Sequence, residues 1–182
     1  MPRFHQFHID LANIIEPIIP QDWAGDPCCI ISNDCGGKHA LPIWHEKEDG
    51  NAIPYAEADL LIIKNGEVKA QVEIEEQEHS PTKLFGKLLA TSKCSYCQYK
   101  RGKDGPIEFA KDFIFIQIVR PIDAIRPENS KKPEQSESVR KDILKMDLKS
   151  ISGRNIEYHL LDGSREKIAN DTRSILESMI SN

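Results

Sequence analysis

Residues 58–76 predict two β-strands joined by a tight turn, with carboxylates inside the strands. Asn65-Gly66 is a strong hairpin signal, and it separates two segments rich in Val, Ile and Leu. Asp59 begins the first strand, and Glu73 and Glu75 lie in the second. Because burying an isolated carboxylate costs several kcal/mol or more, these groups must be solvated, paired with a cation or bound to a metal ion.

The register of this hairpin decides whether the carboxylates meet. Alternate side chains of a strand share a face, and one face of the second strand carries Lys69, Gln71, Glu73 and Glu75. With a regular two-residue turn, Asp59 falls opposite Val72, on the wrong face. With a three-residue loop or a bulge, Asp59 faces Glu73 and Glu57 faces Glu75. We predict a three-residue loop or a bulge.

Carboxylates a few ångströms apart repel each other unless a cation bridges them. A site built from carboxylate oxygens suits Mg²⁺ or Mn²⁺, which can orient and activate a water molecule for phosphodiester cleavage. The alternative is a hydrated polar face of an exposed hairpin. Both interpretations fit the pattern.

A helix after the hairpin adds two lysines. Ser80 is a good N-cap before Pro81, and Lys83 and Lys87 are four residues apart on one helix face. At about 1.5 Å per helical residue against about 3.3 Å per strand residue, Lys87 falls level with Glu73. Lys87 therefore either completes the site, by stabilising the transition state or positioning the water, or lies with Lys83 on a solvated face.

The remaining pattern predicts an α/β fold. We expect helices at 4–18, 81–99, 138–149 and 164–180, strands at 28–32, 113–119 and 156–161, and a surface loop at 126–138. Residues 38–56 suit a loop or a short ribbon. This order predicts a central mixed β-sheet with helices on both faces, in a single domain over 1–182.

Composition narrows the function classes. Length and a 39% hydrophobic content fit one core, and a net charge of −5 argues against coating nucleic acid by bulk charge. Basic clusters near 100–103, 131–132 and 140–149 are either a local positive face or solvated charges. With no stretch near the ~20 apolar residues of a membrane span and no signal peptide, we expect a cytoplasmic protein without membrane contact.

The odd number of cysteines, five, argues against a disulfide framework. Cys94 and Cys97 have the spacing of half a zinc site. The second half would come from Cys35 and His39, or from the pair at 28–29. Structural Zn²⁺ is thus one interpretation, and reduced, unliganded thiols are the favoured one.

At this point the chain resembles the PD-(D/E)XK nuclease superfamily, which has a restriction endonuclease-like core. The resemblance covers about 4–120, with Asp59 and Glu73 at the two acidic positions and Glu75 where the usual motif has lysine. It implies that Asp59 and Glu73 bind Mg²⁺ or Mn²⁺ with the backbone carbonyl of Ile74. Glu75, as in the Glu-x-Glu variant, then takes the place of the lysine near the attacking water, and some members carry a replacement lysine on the following helix.

The sequence therefore predicts a divalent-metal-dependent DNA endonuclease of restriction or repair type. Its catalytic residues would be Asp59, Glu73, Glu75 and Lys87, and it would act on DNA as a homodimer or as a subunit of a larger nuclease assembly. The first alternative is a catalytically inactive subunit of the same fold that binds DNA or a protein. The second is a zinc-stapled binding protein built around Cys94 and Cys97.

Overall fold

The fold is a mixed β-sheet between two layers of helices. The computed structural model describes residues 6–18, 29–31, 41–45, 54–75, 80–97, 105–119 and 132–181. The helices are α1 (Gln6–Ile15), α2 (Pro81–Lys93), α3 (Lys132–Ile143), α4 (Leu148–Ser152) and α5 (Arg165–Ser181), with a 3-10 turn at Glu16–Ile18. The strands are β1 (Cys29–Ile31), β2 (Leu41–Trp44), β3 (Ala56–Ala58), β4 (Leu60–Lys64), β5 (Glu67–Glu75), β6 (Tyr96–Cys97), β7 (Ile107–Val119) and β8 (Asn155–Leu161).

The sheet has the strand order β1-β4-β5-β7-β6-β2-β3, and β8 also pairs with β7. β7 runs parallel to β5 and to β8, and the other pairs are antiparallel. The predicted α/β class with a central mixed sheet is therefore confirmed. Within the described ranges, no helix combines the length and apolarity needed to cross a membrane.

Alternation along β7 separates two apolar cores. Phe113 and Phe115 point to one face, and Ile116 and Ile118 point to the other. The first face is covered by α2, α3 and α4, through Leu84, Leu88, Val139, Ile143 and Leu148. The second is covered by α1 and α5, through Leu11, Ile15, Ile168 and Leu176. Helices thus lie on both faces, and α2 belongs to the first layer.

Several predicted boundaries are wrong. The strand expected at 113–119 begins at Ile107, and the helix expected at 138–149 is two helices, α3 and α4, separated by residues 144–147. The helix expected to reach residue 99 ends at Lys93, because the backbone of Cys94 is extended and the amide of Ser95 donates to the carbonyl of Trp44 at 2.7 Å. The predicted loop at 126–138 overlaps α3, which begins at Lys132. Packing of α3 on the first core, together with Arg140 donating to the Leu160 carbonyl at 2.8 Å, overrides the polar composition of this helix.

Candidate active site

The β4–β5 hairpin combines a two-residue turn with a bulge. Asn65 and Gly66 both have positive φ, 54° and 73°, so the turn is the Asn-Gly type that the sequence suggests. Lys64 pairs directly with Glu67, and the predicted alternative of a three-residue loop is therefore wrong. The alternative of a bulge is confirmed, because the register shifts by one residue at Lys69.

The bulge sets the register that the carboxylates require. Beyond it Leu60 pairs with Val72, so the next residue, Asp59, lies opposite Glu73. The amide of Ile74 donates to Oδ2 of Asp59 at 2.7 Å, which fixes this carboxylate beside β5.

The bulge also interrupts the alternation expected along β5. Val68 lies in the first core, whereas Ala70 and Val72 lie in the second. Regular alternation would place Lys69 on one face with Gln71, and Val68 on the other with Ala70. This expectation is wrong because Lys69 is the extra residue of the bulge. From Gln71 onward the predicted polar face is the face on which α2 packs.

Helix α2 lies along β5, and every fourth residue of the helix lies level with every second residue of the strand. Ser80 caps it by accepting from the amide of Lys83 at 3.2 Å, and Pro81 is its first residue, as the sequence predicts. Four helical residues rise about 6 Å and two strand residues span about 6.6 Å, so a helix stripe at i, i+4 and i+8 stays level with alternate strand residues. Three cross-contacts result: Lys83 with Glu75, Lys87 with Glu73, and Thr91 with Gln71.

Lys87 lies among the three carboxylates. Its Nζ donates to Oε2 of Glu73 at 2.6 Å and lies 2.9 Å from Oε1 of Glu75 and 3.9 Å from Oδ2 of Asp59. Although burial opposes the charged amine, the charges of Glu73, Asp59 and Glu75 outweigh it and raise the pKa of Lys87. The structure therefore brings together Asp59, Glu73, Glu75 and Lys87, and this lysine does not lie on a solvated face.

Glu75 is almost fully buried and ionised. Lys83 forms an ion pair with Oε2, and the ammonium of Lys87 lies 2.9 Å from Oε1. Burial opposes ionisation, but the pairs with Lys83 and Lys87 outweigh it and hold the pKa of Glu75 below its usual value.

Glu73 is also buried, at 2% exposure, and its pKa moves in the opposite direction. Burial, followed by the charge of Asp59, raises the pKa of Glu73 to about 7. The contacts with Lys87 and Gln71 offset part of this effect. Glu73 is therefore the carboxylate that gains most from an added cation.

The donor set fits a hard divalent cation. Asp59 and Glu73 offer carboxylate oxygens, the ligands preferred by Mg²⁺ and Mn²⁺, and the ammonium of Lys87 already provides a positive charge between them. In the described part of the chain, no three His, Cys, Asp or Glu side chains form a ready metal-binding group. A cation at this position would therefore have to share the carboxylates with Lys87 or displace it.

Some predicted participants do not join this site. Glu57 lies in β3, exposed and paired with Pro42 of β2, so the expected meeting of Glu57 with Glu75 does not occur. Cys94 and Cys97 are buried free thiols, and burial raises the pKa of each to about 12. In the metal-free protein both thiols are therefore neutral at pH 7.

Several other predictions fall outside the described residues. The suggested zinc partners at 28, 35 and 39 lie there, as do the basic cluster at 100–103, residue 131 and the side chains of residues 29 and 132. If the protein binds DNA, loops near 33–56 and 121–138 are expected to read its sequence, and most of these residues also lie outside the described ranges. The zinc and DNA-contact predictions therefore stay predictions.

Two site residues were missed by sequence reasoning. Gln71 was placed on the polar face without a role, and Thr91 was not considered. The sequence does contain a signal for both residues, because the Gln-x-Glu-x-Glu spacing of β5 matches the Lys-x3-Lys-x3-Thr spacing of α2. The chain matches no protein-family profile, no curated protein and no solved structure. Interpretation of the site therefore rests on its geometry.

Proposed function

We propose that this protein is a divalent-metal-dependent DNA endonuclease of the restriction endonuclease-like kind. The observation that carries the proposal is the position of Lys87 Nζ, within 4 Å of carboxylate oxygens of Asp59, Glu73 and Glu75. Two acids on a hairpin, a third two residues later and a lysine from the next helix form a set suited to cleaving a phosphodiester bond.

Asp59 and Glu73 would hold the metal ion, Mg²⁺ or Mn²⁺. When bound, such an ion supplies positive charge at the scissile phosphate and activates a water molecule for attack on phosphorus. Hydrogen bonding of Asp59 to the Ile74 amide keeps one of these ligands in place. The raised pKa of Glu73 supports the assignment, because buried carboxylates that are poorly compensated are typical of sites that receive a cation.

Lys87 and Glu75 take the remaining roles. The ammonium of Lys87, 30% exposed, can contact both the carboxylates and an incoming phosphate, and it stabilises the charge that develops there. Oε1 of Glu75, which lies 2.9 Å from the ammonium of Lys87, has a further lone pair that can accept a hydrogen bond from the attacking water. Lys83 keeps Glu75 ionised for that purpose.

A second candidate is a catalytically inactive member of the same fold that binds DNA or a protein partner. Glu75 favours it, because this residue stands where the resembling family has lysine and is already paired with two lysines. The endonuclease would act on DNA as a homodimer or within a larger nuclease assembly, whereas the inactive subunit would bind either DNA or a protein partner.

A cleavage assay tests the proposal. Supercoiled plasmid, a branched DNA and a single-stranded RNA would be incubated with the protein in Mg²⁺, Mn²⁺ or EDTA, beside Asp59→Ala and Glu73→Ala. We expect metal-dependent nicking of DNA that both substitutions abolish. Binding of DNA in gel-shift experiments without cleavage by folded protein would favour the inactive subunit, and cleavage that survives both substitutions would overturn the assigned site.

A further inference from the structure

The third contact between α2 and β5 involves no charge. Nε2 of Gln71 donates to Oε1 of Glu73 at 2.7 Å and to Oγ1 of Thr91 at 3.2 Å. Gln71, Glu73 and Thr91 are each at most 2% exposed. One amide nitrogen therefore links the buried carboxylate to the helix.

This arrangement fixes the orientation of the Gln71 amide. Both amide hydrogens are used, and a flipped amide would place its carbonyl oxygen against the carboxylate of Glu73, where two acceptors repel each other. The same orientation leaves Oε1 of Gln71 buried without a hydrogen-bond partner among the described residues. An acceptor that is buried without a hydrogen bond costs about 1–3 kcal/mol of folding free energy.

The contact also determines which oxygen of Glu73 faces the positive charge of Lys87, the charge that a metal ion would have to share or displace. Gln71 occupies Oε1, while Oε2 points to the ammonium of Lys87. A carboxylate held in this way presents one defined oxygen to a cation instead of rotating between two arrangements.

We propose that Gln71 and Thr91 are positioning residues that hold Glu73 so that its Oε2 faces the metal position. The inference rests on the proposed metal-dependent function. Thr91 anchors the amide, Gln71 transmits that anchor to Glu73, and neither residue touches the substrate. Groups that orient metal ligands in this way typically contribute about 10–100-fold to metal affinity or activity.

The test compares isosteric substitutions of buried threonines. Thr91→Val removes the acceptor oxygen, and Thr91→Ser retains it. Thr172→Val is the matched control, because Thr172 is fully buried in α5 on the opposite side of the sheet and donates only to its own helix, at the Ile168 carbonyl. Mn²⁺ affinity is measured by calorimetric titration and the melting temperature by circular dichroism, with Gln71→Met as a second disruption of the same contact.

We expect Thr91→Val and Gln71→Met to weaken Mn²⁺ binding by about 10-fold or more, with Thr91→Ser close to wild type. Thr172→Val should bind Mn²⁺ normally even if its melting temperature falls. Equal Mn²⁺ affinity in Thr91→Val and wild type would overturn the inference while leaving the proposed function intact. Failure of the proposed function would instead appear as wild-type protein that binds no Mn²⁺, or that binds it equally well as Asp59→Ala.

Discussion

The Nζ of Lys87 lies 2.6 Å from Oε2 of Glu73, so a helix supplies the positive charge that the strand motif lacks. The contact spans α2 and β5, and it exists because four helical residues rise nearly as far as two strand residues extend. The same ammonium lies 2.9 Å from Oε1 of Glu75, so one lysine of α2 pairs with two buried carboxylates of β5.

Lys87→Met should separate metal binding from cleavage. Removing an internal cation from between the carboxylates frees them for a metal ion, so we expect Mn²⁺ to bind about 10-fold more tightly, equivalent to about 1.4 kcal/mol. Cleavage should nevertheless fall by about 100-fold or more, because charge at the phosphate is no longer stabilised. Lys83→Met is the matched control and should change Mn²⁺ affinity less, since Lys83 contacts only Glu75 in the described site. Weaker Mn²⁺ binding in Lys87→Met would contradict this account.

Glu73→Gln should make the metal-free protein relatively more stable at high pH. Its folded pKa of about 7 lies above the value of 4.5 expected when unfolded, so its contribution to stability is complete below pH 4.5 and lost as pH rises through 7. In EDTA, the melting temperature of Glu73→Gln relative to that of wild type should therefore rise between pH 5 and pH 8. Added Mn²⁺ should reverse this difference by stabilising wild type only. A melting-temperature difference that stays constant between pH 5 and pH 8 would show that ionisation of Glu73 does not affect stability.

Exchanging the charges of residues 75 and 87 tests their pairing. Glu75→Lys alone places a third positive charge beside Lys83 and Lys87, and breaking a buried ion pair in this way typically costs about 3–5 kcal/mol. The double variant Glu75→Lys with Lys87→Glu retains the total charge of the cluster. Urea denaturation should show the double variant to be more stable than Glu75→Lys. If the double variant lost as much unfolding free energy as the two single variants together, the two side chains would not interact in solution.

The bulge residue should be dispensable. Deleting Lys69 leaves Ile63 paired with Val68 and Ile62 with Ala70, so Asp59 still faces Glu73 and Mn²⁺ binding should persist. Deleting Ala70 gives a chain of equal length but moves Lys69 into a fully buried apolar position, which should cost several kcal/mol. Urea denaturation and Mn²⁺ titration of both deletions measure these effects. Loss of Mn²⁺ binding in the Lys69 deletion, at the level of Asp59→Ala, would show that the bulge itself shapes the site.

Much of the fold and most of the candidate site could be predicted from local sequence patterns. Alternation in β5 from Gln71 onward, the Asn65-Gly66 turn and the cap at Ser80 are dictated by neighbouring residues, so their structures follow from the sequence. Lys87 lies level with Glu73 because of the rise per residue of the helix and of the strand, which the sequence alone supplies. The bulge was predicted only because the carboxylates required it.

The remaining features depend on contacts distant in sequence. Residues Tyr96–Cys97 form a strand that pairs with β2 and β7 and do not continue helix α2. The polar helix α3 forms because Val139 and Ile143 pack on the first core. The role of Gln71 requires Thr91, twenty residues away, at hydrogen-bond distance. Such pairings are set by tertiary packing, which local propensity does not encode.

The rate of Mn²⁺-dependent nicking of supercoiled DNA by Glu73→Gln tests the central claim most directly. Glu57→Gln is its control, because Glu57 is an exposed acid on the neighbouring strand β3, outside the cluster. We predict that Glu73→Gln lowers the rate by about 100-fold or more while Glu57→Gln cleaves like wild type, as expected when a metal ligand is lost. Equal rates for Glu73→Gln and wild type would contradict the assignment of this carboxylate cluster as the catalytic metal site.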